Sequence, residues 1–169
     1  MAVYNLIATI TVGSAGATSI LFSGIPQTYT DLEVVASLRG SDAVNYQTNR
    51  MKINGSTSNL STRVLFGTGS AASSAYVNTY LHIGNTGGTG ATSSVFSSHS
   101  IYIPNYTSSA QKSIRTDSAM ENNNTSFYVN TLTAGLWSQT AAITSLDIYP
   151  ENGSWVQFSS ASLYGIKNS

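Results

Sequence analysis

Leu21–Arg39, LFSGIPQTYTDLEVVASLR, holds the end of one β-strand, a tight corner and a second strand. From Asp31 onward the alternation is strict. Leu32, Val34, Ala36 and Leu38 point one way, with Glu33, Ser37 and Arg39 the other, the period-2 pattern of a half-buried strand. Pro26 fixes φ and removes a backbone donor, which suits a corner and argues against a central strand. Upstream, Tyr4–Val12 alternates Leu6, Ala8, Ile10 and Val12 against Asn5, Ile7, Thr9 and Thr11. Gly13–Gly16 breaks that strand, and Ala17–Phe22 starts the next with Ile20 and Phe22 on one face.

Downstream the same grammar repeats. Tyr46–Ile53 is extended and ends at Asn54-Gly55, a strong tight-turn signal. Arg63–Phe66 reads as a short strand, Gly67–Ala75 as a small-residue loop, and Tyr76–Ile83 as one strand. Within that strand Tyr76, Tyr80 and His82 share a face. Gly84–Ser94 is almost wholly Gly, Thr, Ser and Ala and reads as a surface loop. Val95–Ile103 is a strand closed by Pro104-Asn105. Ser113–Met120 mixes charged and apolar positions and reads as a strand near an edge. Glu121–Thr125 is a polar turn, Ser126–Leu132 a strand, and Gly135-Leu136-Trp137 part of a loop. Ala142–Tyr149 and Trp155–Lys167 close the chain, with Val156, Phe158, Leu163 and Ile166 as core candidates.

About ten short strands separated by turn signals, with no substantial helix, predict an all-β antiparallel sandwich, and the strand number favours a jelly roll. Residues 1–169 read as a single domain, large enough to bury a core without staples. Cysteine is absent, which excludes disulfides and thiolate metal sites. Net charge is +0 and 8% of residues are charged, against about 25% in an ordinary soluble domain. Such a chain lacks the clustered cations that nucleic-acid binding needs. Ser and Thr, about 28% of residues, supply polarity instead. Near-zero charge weakens the repulsion that keeps monomers apart. MAVYNLIATITV has no basic leader and no continuous apolar run, so neither a targeting nor a membrane segment is expected.

Catalytic chemistry finds little support. His82 and His99 sit on strands among small polar residues, GxSxG is absent, and no strand-to-helix elbow can be placed. Asp31/Glu33 and Asp117/Glu121 are the carboxylate pairs nearest to glycosidase spacing, and both read better as turn caps or a solvated face. Asp42 and Asp147 are the acidic residues placed to join a loop-carbonyl calcium site, yet no ligand pattern surrounds them. No cofactor is implied, and the expectation is a protein without enzymatic activity. Tyr76, Tyr80 and His82 form the one candidate binding surface, a row of rings for a sugar to stack on. Against it stands the use of such rings to fill cores and subunit interfaces.

Three segments carry a resemblance. LIATITVGSAGATSILFSGIPQTYTDLEVVASLR at the start, IYIPNYTSSAQKS in the middle and TAAITSLDIYPENGSWVQFSSASLYGIK at the end resemble small jelly-roll virion structural proteins of tailed bacteriophages. The resemblance spans most of the chain and contains no catalytic residue. It implies a capsid decoration or cement protein, made in the host cytoplasm and placed on the exterior of the particle. Its implied partners are the major capsid protein or other virion proteins, and its own copies in a homotrimer. The alternative it leaves open is a tail-fibre or spike module that binds a host-surface glycan or receptor.

Overall fold

A computed structural model describes residues 2–123 and 129–167. They form twelve antiparallel strands in two sheets. In chain order these are Val3–Thr11 (β1), Ile20–Ser23 (β2), Asp31–Leu38 (β3), Gln47–Ile53 (β4), Leu60–Gly67 (β5) and Ala72–Val77 (β6). Then come Leu81–Thr86 (β7), Ser97–Ile103 (β8), Lys112–Met120 (β9), Val129–Trp137 (β10), Ser145–Pro150 (β11) and Ser160–Lys167 (β12). The large sheet has the order β1-β12-β3-β8-β9-β10-β5-β6, and the small sheet β2-β11-β4-β7. Without the hairpins β5–β6 and β9–β10, each sheet keeps four strands, β1-β12-β3-β8 facing β2-β11-β4-β7. The two hairpins pair with each other through β5 and β10 and widen the large sheet at one side.

Side chains alternate between faces along a strand, so residues paired across strands form ranks. One inner rank reads Ala8, Leu163, Val34, Ile101, Thr116, Thr133, Val64, Ala75. Its first half packs beneath Ile20, Phe22, Met51, Ile53, Leu146 and Ile148 of the small sheet in one apolar cluster. Trp155 is fully buried beside it, and its indole N–H donates to the Ile148 carbonyl at 3.0 Å. Phe22 and Ile20 lie inward as the alternation predicts, and so do Leu32, Val34, Ala36 and Leu38.

Several expectations are corrected. β1 carries a register shift at Leu6/Ala8, so Leu6 faces solvent at 58% exposure while Ala8 and Ile10 turn inward. Tyr76–Ile83 is two strands in different sheets, parted at Asn78-Thr79-Tyr80, which raises the strand count to twelve. β9 is interior to its sheet, and its Arg115 and Asp117 look out through the sheet face instead of an edge. Trp137 ends strand β10 and is buried. Phe158 is 68% exposed with φ 73°, in a turn closed by the Ser159 N–H on the Val156 carbonyl. The predicted strand Ser126–Leu132 and turn Glu121–Thr125 fall partly outside the described residues.

Buried cations hold the irregular segments. Arg39, predicted outward, lies past the end of β3 and is buried. Its Nη1 donates to the carbonyls of Thr92 (2.7 Å) and Val95 (2.9 Å), and its Nη2 to Gly88 (2.9 Å) and Ala91 (3.3 Å). Gly84–Ser94 is therefore no loose surface loop: its first three residues belong to β7, and its next turn wraps the guanidinium. Lys112 Nζ donates to Ser108, Ala110, Thr140 and Ala141 carbonyls at 2.6–3.3 Å. Burial lowers the pKa of both groups.

The three segments that carry the resemblance meet at one end of the sandwich. Tyr106 is buried and its hydroxyl donates to the Pro26 carbonyl, while the Ile143 N–H donates to the Tyr106 carbonyl. Gln27 Nε2 donates to Ile25 and Ile143 carbonyls. Thr30 N–H donates to the Ile166 carbonyl, and a Cβ at Gly165 would come within 2.3 Å of the Tyr29 ring. The motifs build a corner.

Candidate functional site

Where hairpin β5–β6 extends past the edge of β7, it leaves a cleft of about 350 Å³. Val64, Phe66 and Thr68 line it from β5 and its end, Ala75 and Val77 from β6, and Met120 and Val129 from the ends of β9 and β10. The opposite wall is Tyr46 and Thr48 at the start of β4, Tyr80 just before β7, and His82 and Asn85 within it. Volume and lining fall in the range of small-molecule sites, an apolar floor with a few polar groups at the rim.

Thr62 of β5 positions that wall. Its hydroxyl donates to the Tyr80 carbonyl (3.0 Å) and accepts from the His82 N–H (3.3 Å), tying the start of β7 to the large sheet. The Gly84 N–H donates to His82 Nδ1 at 3.1 Å, so the neutral ring carries its proton on Nε2. Burial, with the Arg50 charge adding to it, pushes the His82 pKa down to about 4. Arg50 lies 4.0 Å over the Tyr80 ring and is paired with Glu151. Among the described residues the cleft lining has no charged side chain. Two phenols, a neutral imidazole, an amide and hydroxyls above an apolar floor suit an uncharged, hydroxylated ligand.

Tyr80 and His82 meet in this cleft, and Tyr76 does not. Tyr76 stands on the outer face of β6, with Arg63 stacked 3.7 Å from its ring centre. Tyr46, Phe66 and Asn85 were missed. Asn85 lies in a segment that reads as loop, and Tyr46, just before β4, and Phe66 of β5 come from different sheets.

The remaining polar chemistry is structural. His99 is fully buried: its Nδ1–H donates to the Ile83 carbonyl (3.2 Å), and Nε2 accepts from Asn49 Nδ2 (3.2 Å) beside the Ser97 hydroxyl (2.8 Å). Burial pushes its pKa down to about 4. Asp31 accepts from the Tyr102 hydroxyl and the Asn105 N–H, both at 2.8 Å, and the Tyr102 phenol is pushed up to about 12 by burial and that bond. Glu33 accepts from Ser100, and Glu121 from the N–H groups of Asn122 and Asn123. Asp147 pairs with Lys52 at 3.4 Å, and Asp42 caps the Ala43 N–H. Among the described residues no three His, Asp or Glu side chains gather to hold a metal ion.

The second feature of note is the outer face of the large sheet, which no other described element covers. One rank across it reads Leu6, Tyr164, Glu33, Tyr102, Arg115, Ala134, Arg63, Tyr76. The next reads Thr9, Ser162, Val35, Ser100, Asp117, Leu132, Leu65, Ser74. Leu65 and Leu132 are direct cross-strand neighbours, 54% and 49% exposed. No family model, curated protein or solved structure matches the chain.

Proposed function

We propose that this chain is a virion structural protein of a tailed bacteriophage, a decoration protein that binds the outside of an assembled shell and performs no catalysis. The observation that carries the reading is the bare outer face of the eight-stranded sheet, where Leu65, Leu132, Val35 and Leu6 stand exposed among hydroxyls and a few charges. Exposed apolar patches rimmed by polar groups mark interaction surfaces. The strand order supports a jelly-roll core, since consecutive core strands alternate between the facing sheets β1-β12-β3-β8 and β2-β11-β4-β7, except β4 and β7, which pair within the small one. The phage resemblance supplies the partner, a shell protein, and a homotrimer as the assembled form. Binding to the assembled lattice and not to free subunits stabilises the shell by mass action. Copy number in purified particles tests it. Hundreds of copies, lost in a Leu65→Glu/Leu132→Glu variant that still folds, support the reading, and a handful confined to the tail sinks it.

One observation favours a second reading, a fibre or spike module that binds a host-surface glycan: the uncharged cleft that Tyr46, Tyr80 and His82 border. A glycan array should then show binding that Tyr80→Ala abolishes. An array without signal removes this reading and leaves the first untouched.

A further inference from the structure

Four strands border the two sheets: β1 and β6 the large one, β2 and β7 the small one. A border strand presents a row of unbonded N–H and C=O groups, and proteins blunt such rows with brevity, bulges, proline, charge or cover. β1 is interrupted by its register shift at Leu6/Ala8. β2 has four residues. β7 has a register irregularity against Asn49/Arg50, and all six of its residues are buried. Among the described residues, β6, Ala72–Val77, shows none of these devices. Its sequence ASSAYV has no charge and no proline, its register with β5 runs unbroken from Thr62↔Val77 to Gly67↔Ala72, and five of its six residues are exposed.

We propose that β6 is a self-pairing strand, which joins β6 of a second copy antiparallel and continues the eight-stranded sheet across a two-fold axis. An axis perpendicular to the sheet keeps outer faces together and requires one residue of β6 to face its own copy. Ser74 and Ala75, near the centre, are small enough for that. With the axis on Ser74, Tyr76 falls opposite the Ala72 of the second copy, and with the axis on Ala75 it falls opposite Ser74. In both registers a large ring meets a small side chain. Charge does not oppose the seam. The nearest cation, Arg63, sits one strand inward on Tyr76, so the two guanidinium groups lie roughly three strand spacings apart, about 14 Å, beyond the screening length at physiological salt. The bonds gained are main-chain bonds along six residues, so pairing in free solution is weak and tightens where copies share a surface. The inference stands apart from the virion reading and holds whether or not copies also gather in threes.

Sedimentation of the full chain from micromolar to millimolar concentration tests it. The expected mass rises from one chain toward two. Residues alternate in pointing their N–H toward β5 or toward the open edge, so of Ser73→Pro and Ser74→Pro one removes only an edge donor. That variant should stay monomeric with its melting midpoint unchanged, while the other loses stability. Because the chain has no cysteine, Ser74→Cys and Ala75→Cys give a second readout. On mild oxidation the one at the axis should form a linked dimer, and Thr9→Cys, on the far border, should not. A mass of one chain at millimolar concentration with no cross-link overturns the proposal. So does a trimer or dimer whose mass is indifferent to the edge proline.

Discussion

The large sheet has two unlike halves on its inner face. From β1 to β8 the inner rank is Ala8, Leu163, Val34 and Ile101, and the small sheet lays Ile20, Met51, Leu146 and Ile148 over it. From β9 to β10 the same rank is Thr116 and Thr133, and the neighbouring one, Ser118 and Thr131, continues from His99 of β8. The difference follows from spacing. β7 crosses the second half so closely that a Cβ on Gly84 would lie 2.2 Å from Ser118 Oγ, and one on Gly135 would lie 2.3 Å from Leu81. Side chains there must be short, and Ser and Thr fill that role at the cost of bringing hydroxyls inside. Ser118 and Thr131 satisfy each other, whereas Thr116 Oγ1 and Thr133 Oγ1 find no partner among the described residues. Strand pairing alone does not require a uniform core. What the opposite sheet leaves room for sets its chemistry.

The contrast makes measurable demands. Leu163→Ala opens a cavity in the apolar half, and should cost about 2–5 kcal/mol in urea unfolding. The second half should respond to acid instead. His99 and His82 titrate near 4 when folded and near 6.5 when unfolded, so the unfolded chain binds more protons between those values. Stability is full above pH 6.5 and is lost as pH falls toward 4, on the order of 3 kcal/mol for His99 alone. A flat urea midpoint across that window would show that His99 is not held neutral. Arg39→Met should cost roughly 2 kcal/mol by orphaning carbonyls, with amide exchange accelerating first in residues 87–95. Smallest of all, the double change Thr116→Val/Thr133→Val should be neutral or stabilising by about 1 kcal/mol, since two unpaired hydroxyls vanish at constant shape. A large loss there would mean that both hydroxyls are bonded in solution.

Periodicity reached the regular strands. The alternation of Asp31–Leu38 and the corner at Pro26 are present as read, because burial on one face leaves a period-2 trace that survives without any knowledge of partners. It failed where one residue changes the phase. The β1 bulge sends Leu6 outward with no local signal, and Arg39 stops obeying strand parity once β3 has ended at Leu38. Tyr76–Ile83 kept a clean alternation of Val77, Thr79, Leu81 and Ile83 through a bend without glycine or proline, so two strands looked like one. Of the twelve lining residues of the candidate cleft, the row of rings placed only Tyr80 and His82 on one surface. Val64, Phe66 and Met120 arrive there only through the pairing of two hairpins about 70 residues apart, and Tyr46 comes from the start of a strand in the other sheet, which no single-strand pattern encodes.

The central place of β11 and β12 in their sheets has a kinetic consequence. They are the last two strands in chain order, yet β12 holds β1 to β3, and β11 holds β2 to β4. While a ribosome is still making residue 144, β1 and β2 have no neighbour with which to pair. The hairpins β5–β6 and β9–β10 can close early, but the sandwich itself waits for the whole chain, with Val3 finally opposite Lys167. Such long-range closure makes for slow folding. A nascent chain stalled before Ser145 should be protease-sensitive at its start, and should become resistant only after release.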